Sequence, residues 1–270
     1  MERVISFPQN FLWGCATSAY QIEGGIENSD WSQVFPAGKA CDHYRLYQED
    51  FDILKKLNQN AYRFSIEWSR IEPQEGDFNK QEIEHYRQVL LVLRQRNIKP
   101  VVTLYHFTSP LWFAKQGGWA NVKSIFYFTR FAKRILSEYK DLVYLWITIN
   151  EPMIYAGLSF LQGRWPPFKR SPILFFKVLK HLIKAHKKVY AIFKQENVSV
   201  GIAKNNQFFE PYNLKNPLDR LSVFWANFLW NRWFLNKIKN ELDFIGLNYY
   251  FHQKIAFPFI KKNENKVVSD

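Results

Sequence analysis

Residues 142–152 read Leu-Val-Tyr-Leu-Trp-Ile-Thr-Ile-Asn-Glu-Pro, an apolar run that ends in an amide, a carboxylic acid and a proline. A short, nearly uninterrupted apolar run is typical of a strand that is buried on both faces of a parallel sheet. Enzymes built as barrels of parallel strands keep their chemistry at the carboxyl ends of those strands. The stretch therefore predicts that Asn150 and Glu151 lie at the catalytic end of a parallel sheet.

Strand-like and helix-like segments alternate along the chain. The order strand then helix, repeated, indicates a parallel sheet with helices outside it. No linker or low-complexity stretch interrupts the pattern, so we predict a single domain over residues 1–270. The strand-like runs are 11–17, 61–66, 100–105, 144–149, 198–203 and 244–249, and the amphipathic segments are 44–57, 80–96, 122–139 and 173–195.

The spacing of these runs indicates about six strand-helix units. An eight-stranded barrel needs roughly 250 residues, but long segments separate the runs here and the sequence ends soon after the sixth. A doubly wound sheet also accommodates six strands, yet it usually has a Gly-x-Gly-x-x-Gly loop after its first strand. Gly24 and Gly25 do not fit that pattern. We expect an α/β fold of the (β/α)8 TIM-barrel type, truncated to about six βα units.

The net charge of +13 raises the question of a nucleic-acid partner. Many of the lysines lie in the amphipathic segment 173–195, at the spacing of the solvated face of a helix. We therefore expect no nucleic-acid partner.

Other features of the sequence argue against a membrane-spanning segment, a metal site and a secretion signal. No apolar stretch is long enough for a membrane span, and the N-terminus lacks the basic and apolar regions of a signal peptide, which predicts a cytoplasmic protein. Cys15 and Cys41 are too few for a disulfide framework and lack companions at metal-ligand spacing. We predict no metal and no cofactor, and we expect Cys15 to be a thiol of the core.

Polar and aromatic side chains follow the predicted strands. Sugar hydroxyls need directed donors and acceptors, and sugar C–H faces pack on aromatic rings. Taken singly, His106 is more typical of a hydrogen-bonded core histidine, and Asn205 or Asn248 of a turn or cap. Their recurrence at one end of successive strands favours a shared sugar site. The polar tips are 17–24, 105–107, 150–151, 205–206 and 248–250.

Several of these segments resemble the family 1 glycoside hydrolases, the β-glucosidases and their relatives. The resemblance runs from about residue 6 to the end and implies a (β/α)8 barrel that hydrolyses β-glycosides with retention of configuration and without a cofactor. The matching segments are Phe-Leu-Trp-Gly at 11–14, Ala-Thr-Ser-Ala-Tyr-Gln-Ile-Glu-Gly at 16–24, Tyr-Arg-Phe-Ser-Ile-Glu-Trp-Ser-Arg at 62–70, Gly-Trp at 118–119, Asn-Glu-Pro at 150–152 and Asp-Phe-Ile-Gly-Leu-Asn-Tyr-Tyr at 243–250.

The resemblance also implies roles for individual residues. Glu151 would be the general acid that protonates the leaving oxygen, and then the base that activates water. Gln21, His106 and Asn150 would hydrogen-bond the hydroxyls of the terminal sugar of a β-glycoside or oligosaccharide, and Trp119 would line its pocket.

A second group of residues matches positions that surround the family's nucleophile, namely Arg63, Asn248 and Tyr250. In the family that nucleophile is a glutamate in a Thr-Glu-Asn-Gly motif, and residues 1–270 contain no such motif. A retaining mechanism requires this second carboxylate about 5 to 5.5 Å from the acid.

Three other carboxylates are candidates to replace this nucleophile. Glu67 lies within a matching segment, Glu23 belongs to the first signature, and Glu210 is expected on a surface loop. We expect none of them to replace it.

Three interpretations follow from this pattern. In the first, the chain is the N-terminal portion of a β-glycosidase, inactive alone, whose remaining strands are lost or come from a second chain. In the second, it is a non-catalytic sugar-binding or interaction protein, and in the third an unstable remnant. A barrel of six strands leaves two strand edges open, so we also expect self-association through those edges.

Overall fold

A computed structural model describes residues 6–261 of the chain. Within this range six parallel strands follow one another in chain order around a curled half-barrel, and a short seventh strand pairs antiparallel with the sixth. The strands are β1 (Gly14–Ala16), β2 (Ala61–Ser65), β3 (Lys99–Tyr105), β4 (Leu145–Asn150), β5 (Val200–Pro211), β6 (Phe244–Ala256) and β7 (Ile260–Lys261). The predicted fold of about six βα units is confirmed.

Helices connect these strands, as the amphipathic segments predict. Asn79, Ser171 and Asn216 each begin a long helix, because their side-chain oxygens accept backbone N–H groups of the first turn. The helices are α1 (Ala19–Ile22), α2 (His43–Lys56), α3 (Trp68–Ile71), α4 (Lys80–Gln95), α5 (Leu111–Lys115), α6 (Ser124–Tyr139), α7 (Pro152–Ala156), α8 (Pro172–Gln195), α9 (Pro217–Ala226) and α10 (Trp233–Ile238), with a 3-10 turn at Gly118–Ala120 and π-helical segments at Gly157–Leu161 and Asn227–Arg232.

The main hydrophobic core lies between the outer face of the sheet and the surrounding helices. Alternate residues of the parallel strands point outward into this layer, where Trp146 of β4 packs edge-on against Phe193 of α8, with ring centroids 5.2 Å apart. The other face of the strands forms a smaller cluster around Val101, Ile147 and Ala203. Burial on both faces explains why the central strands are almost uniformly apolar.

The first and sixth strands differ from the central ones in their exposure. All three residues of β1 are exposed, including Cys15, so the expectation of a core thiol is wrong. The reason is that, within residues 6–261, β1 is hydrogen-bonded to a neighbouring strand on one side only. On β6, Ile245, Leu247 and Tyr249 are also exposed. Both ends of the curled sheet thus present apolar surface.

The last two parallel strands are longer than predicted. β5 and β6 pair beyond Asn205 and Asn248 as far as Pro211 and Ile255, with a register shift near Asn206. Glu210, expected on a loop, therefore lies in β5. No helix within residues 6–261 is both long enough and apolar enough to cross a membrane.

Candidate active site

Glu151 lies at the junction of β4 and α7. Its backbone has φ 45° and ψ 59°, and Pro152 begins the helix directly after it. The backbone N–H of Glu151 donates to the carbonyl of Ala203 at 2.7 Å, which holds the junction against β5. The side chain is 8% exposed. Asn248 Nδ2 donates to its Oε1 at 2.6 Å.

Asn150 connects several strands through its side-chain amide. Its Oδ1 accepts from Arg63 Nη2 at 2.5 Å and from Asn248 Nδ2 at 3.3 Å. Its Nδ2 lies 3.2 Å from Nε2 of His106. Side chains from within β2 and β6, from the last residue of β4 and from the residue after β3 therefore meet at one amide. The structure thus brings together Arg63, His106, Asn150, Glu151 and Asn248.

His106 is held as a neutral imidazole. Burial, followed by the charge of Arg63, lowers the pKa of His106 to about 3. Because the amide of Asn150 is the donor, Nε2 of His106 accepts and its proton resides on Nδ1. Nδ1 is buried and has no hydrogen-bond partner among the described residues. The site thus offers a free N–H donor at the tip of β3.

Arg63 supplies a partly buried positive charge beside Asn150. Its Nε donates to Thr103 Oγ1 at 3.0 Å, which orients the guanidinium toward the strand tips. Burial lowers the pKa of Arg63 to about 10, against the opposing influence of Glu151 and Tyr250. The residue therefore remains charged at neutral pH. Tyr250, which lies near enough to influence this charge, is 62% exposed.

Lys204 is a charged residue near the site that the sequence analysis missed. It is completely buried in β5, its amine donates to the carbonyl of Asn205, and the amine lies 5.5 Å from the ring centroid of Trp230. Burial lowers the pKa of Lys204 to about 8, and the charge of Glu151 partly offsets that effect. A lysine directly after the apolar run 198–203 was the available signal.

The sequence analysis also missed part of an aromatic wall beside His106. Phe107 packs against His106 and against Trp165, with ring centroids 4.9 Å apart in each pair. Trp165 in turn packs against Trp31 at 4.9 Å. Rings next to a polar cluster are suited to the C–H faces of a sugar. Phe107 belongs to a predicted strand tip, but nothing in the sequence links it to Trp31 or Trp165.

Two predicted sugar contacts are not part of the cluster. Gln21 is exposed in α1, and its Oε1 accepts from Ser18 at 2.8 Å. Trp119 is completely buried, and its ring packs against Tyr105 and Phe128. Trp119 thus packs within the helical layer rather than among the hydrogen-bonded residues around Asn150, and its place in the sugar pocket stays a prediction.

Each of the three alternative carboxylates has other hydrogen-bond or ion-pair partners. Glu23 is bonded to Arg70 and Tyr86, and Glu67 accepts from Ser69 and Thr108. Glu210 lies 3.3 Å from His252 Nε2 and also contacts Lys254. No group of three or more His, Cys, Asp or Glu side chains within residues 6–261 is arranged to hold a metal ion.

Comparison with known families agrees with this geometry. The profile of "Glycosyl hydrolase family 1" matches residues 3–239. The chain belongs to glycosyl hydrolase family 1. The resemblance seen in the sequence is thereby confirmed, and the half-barrel is part of the barrel that this family shares.

Relatives of this family 1 chain include proteins named as a glucohydrolase and a glucosidase. It is 32% identical over 302 residues to the 1,4-beta-D-glucan glucohydrolase of Thermotoga neapolitana, an alignment that covers 93% of this chain and 70% of that protein. It is 31% identical over 305 residues to Beta-glucosidase A of Thermotoga maritima, covering 94% of this chain and 67% of the relative.

Solved structures of family 1 proteins superpose on it closely. A beta-glycosidase from Pyrococcus horikoshii matches with a TM-score of 0.88 and 37% identity, covering 95% of this chain and 66% of that one. A beta-glucosidase from Thermotoga maritima in complex with castanospermine matches with a TM-score of 0.88 and 30% identity, covering 97% and 70%. The family 1 chain thus spans about two thirds of the length of these relatives.

Proposed function

We propose that this chain binds the terminal sugar of a β-glycoside and presents Glu151 as the acid/base of a retaining hydrolysis in carbohydrate metabolism. The observation that carries the proposal is the 2.6 Å hydrogen bond from Asn248 to Glu151, formed next to the amide of Asn150. Membership of the family and the β-glucosidase relatives support it.

Glu151 performs the proton transfers in this mechanism. As a carboxylic acid it donates its proton to the glycosidic oxygen as the bond to the leaving group breaks. As a carboxylate it later removes a proton from the water that releases the sugar. Asn248 holds Oε1 of Glu151, which restricts the side chain to one orientation during both steps.

The neighbouring residues bind the sugar. The Nδ1–H of His106 and the amide of Asn150 donate to hydroxyl groups, and the wall formed by Phe107 and Trp165 covers a C–H face. Gln21 joins these contacts if its side chain leaves Ser18 when the sugar arrives. A sugar with several hydroxyl groups can form more hydrogen bonds with the amide of Gln21 than Ser18 does.

We further propose that residues 1–270 alone do not complete the reaction. The mechanism needs a second carboxylate about 5 to 5.5 Å from the acid, and Glu23, Glu67 and Glu210 have other partners. Arg63, Asn248 and Tyr250 would surround that carboxylate. It would come from polypeptide outside these residues, joined to the same chain or in a second chain, that pairs with β1 and β6.

External nucleophiles test the acid/base role without the second carboxylate. Formate or azide can attack a substrate such as 4-nitrophenyl β-glucoside in its place, and its leaving group, unlike the more acidic dinitrophenol, departs more readily when an acid protonates it. We expect negligible turnover by residues 1–270 alone, turnover that depends on added formate, and its loss in Glu151→Gln. Turnover without formate would refute the proposed incompleteness, and rescued turnover that survives Glu151→Gln would refute the role of Glu151.

A non-catalytic sugar-binding protein is the second candidate. Asn150, His106 and the aromatic wall support this function equally well, because they need no nucleophile to bind a sugar. Titration with the hydrolysis-resistant phenyl β-thioglucoside distinguishes the two functions. Binding of this compound without any formate-dependent turnover would favour the binding function over the enzymatic one.

A further inference from the structure

The exposed face of α8 carries a stripe of lysines. Helix α8 contains six lysines and no acidic residue. Four of the six are exposed and follow one another at intervals of three or four residues, a spacing that places side chains on one face of a helix. These four residues, Lys177, Lys180, Lys184 and Lys188, are called the lysine stripe below.

The lysine stripe is not neutralised by neighbouring acids. Lys187 and Lys194, the other two lysines of α8, form ion pairs with Glu241 and Asp243 at 2.9 and 3.1 Å. No lysine of the stripe forms an ion pair with an acidic residue within residues 6–261. The charges of the stripe therefore remain available to an anionic partner.

Two large apolar side chains extend this face toward the start of α8. Ile173 is 81% exposed and Phe176 is 50% exposed. Ile173 lies four residues before Lys177, and Phe176 lies four residues before Lys180, so both point to the same side as the stripe. A helix face that joins lysines to exposed apolar side chains is typical of helices that lie on a membrane surface.

The position of α8 keeps this face away from the open edges of the sheet. α8 packs against β4 and β5 on the outer side of the sheet. Polypeptide that completes the barrel would pair with β1 and β6, so strands added there do not lie over α8. The face is also separate from Glu151, whose hydrogen bond to Asn248 crosses the inner side of the sheet.

We propose that this face of α8 binds an anionic phospholipid surface, with the lysine stripe against the headgroups and Ile173 and Phe176 inserted at the boundary of the acyl chains. Lysines near an anionic membrane strengthen binding by about fivefold each. A nucleic-acid duplex also attracts lysines through its phosphates, but it has no apolar layer that Ile173 and Phe176 can enter. This interaction does not depend on the proposed function.

Vesicle flotation with the full chain tests the charge requirement, because bound protein rises with the vesicles and self-associated protein does not. We expect binding to phosphatidylcholine vesicles that contain about one third phosphatidylglycerol, and little binding to pure phosphatidylcholine. The double variant Lys180→Glu, Lys184→Glu should weaken binding by at least about 30-fold. Lys177→Glu with Lys188→Glu serves if that variant does not fold.

A matched charge control separates the stripe from the net charge of the chain. Lys56→Glu with Lys80→Glu makes the same change in charge at exposed positions of α2 and α4. Because salt screens charges that are distant from the membrane, this control should weaken binding less than about threefold.

Two changes at position 173 test the apolar contact. Ile173→Gln should weaken binding about tenfold, whereas Leu214→Gln, at a 75% exposed loop position, should not. In a chain with Cys15→Ser and Cys41→Ser, a nitrobenzoxadiazole label on Ile173→Cys should become brighter when anionic vesicles are added. The same label on Leu214→Cys should not respond.

Four results would each overturn the proposal. They are equal flotation with neutral and anionic vesicles, equal weakening by the stripe variant and its charge control, and an unresponsive label at position 173 on bound protein. The fourth is duplex DNA that binds more tightly than anionic vesicles at the same salt concentration and loses binding in the stripe variant. The face would then serve a nucleic acid instead.

Discussion

Asn248 and Glu151 are 97 residues apart in sequence, yet the amide of one donates to the carboxyl oxygen of the other at 2.6 Å. Their strands, β6 and β4, are not neighbours in the sheet, because β5 lies between them. The bond therefore crosses the inner face of the curled sheet. It depends on the curvature of the whole half-barrel.

Removing this amide should reduce acid/base function. A hydrogen bond to a charged group contributes about 1.5–3 kcal/mol, so we expect Asn248→Ala to lower formate-dependent turnover by roughly 10- to 100-fold. Asn236→Ala, at an exposed position of α10, should leave turnover within about twofold of the unmodified chain. Equal rates for the two variants would contradict the assigned role of Asn248.

His186 should make stability depend on pH. Burial lowers its pKa to about 4, while Thr148 and the carbonyl of Glu241 hold the neutral ring. Between the folded value of about 4 and the unfolded value of about 6.5, the unfolded chain binds more protons. This contribution is therefore fully present above pH 6.5 and is lost as the pH falls toward 4.

Urea unfolding across this range checks the effect. The buried acids titrate in the same range, so the informative quantity is the difference between the chain and His186→Gln. The free energy of unfolding should rise more steeply with pH from 4 to 6.5 in the unmodified chain, by about 2–3 kcal/mol in total. Parallel curves for the two proteins would refute the assignment to His186.

Trp146 should contribute strongly to stability. It is completely buried between β4 and α8, and replacing a buried large aromatic residue by alanine costs about 3–5 kcal/mol. Trp225→Ala is the matched control, because Trp225 is 43% exposed in α9. We expect a cost below about 1 kcal/mol there. Similar shifts in the denaturant midpoint would argue against a core organised around β4.

The open strand edges should cause self-association. Apolar side chains on an unpaired edge favour pairing with another chain, and lysines on such an edge oppose it. We expect residues 1–270 to sediment as dimers or larger species and the double variant Leu247→Lys, Tyr249→Lys to shift toward monomer. Leu214→Lys, at a 75% exposed loop position, is the control. A monomeric unmodified chain at high concentration would refute this expectation.

The parallel order of the strands could be predicted from local sequence patterns, because apolar runs alternate with amphipathic segments along the chain. Asn150 follows an apolar run, and His106 and Asn248 follow others, so their convergence at one end of a parallel sheet follows from topology alone. Whether a side chain faces the site or the helical layer is not a local property. Trp119 lies in a matching segment, yet its orientation depends on packing against distant residues.

Other features escaped prediction for related reasons. The extension of β5 passes through Asn205 and Asn206, residues that favour turns, and it is stabilised by pairing with β6 rather than by propensity. The burial of Lys204 depends on Trp230, which lies in a later segment. Contacts with residues far along the chain cannot be predicted from the sequence immediately next to Lys204 or within β5.

The left-handed backbone at Glu151 has a consequence for the stability of the fold. A residue with a side chain pays conformational energy at φ 45°, whereas glycine does not. Glycine at this position would therefore favour folding by up to about 1 kcal/mol while removing the acid. The proposed acid/base function of Glu151 thus occupies a position where the backbone conformation alone would favour glycine.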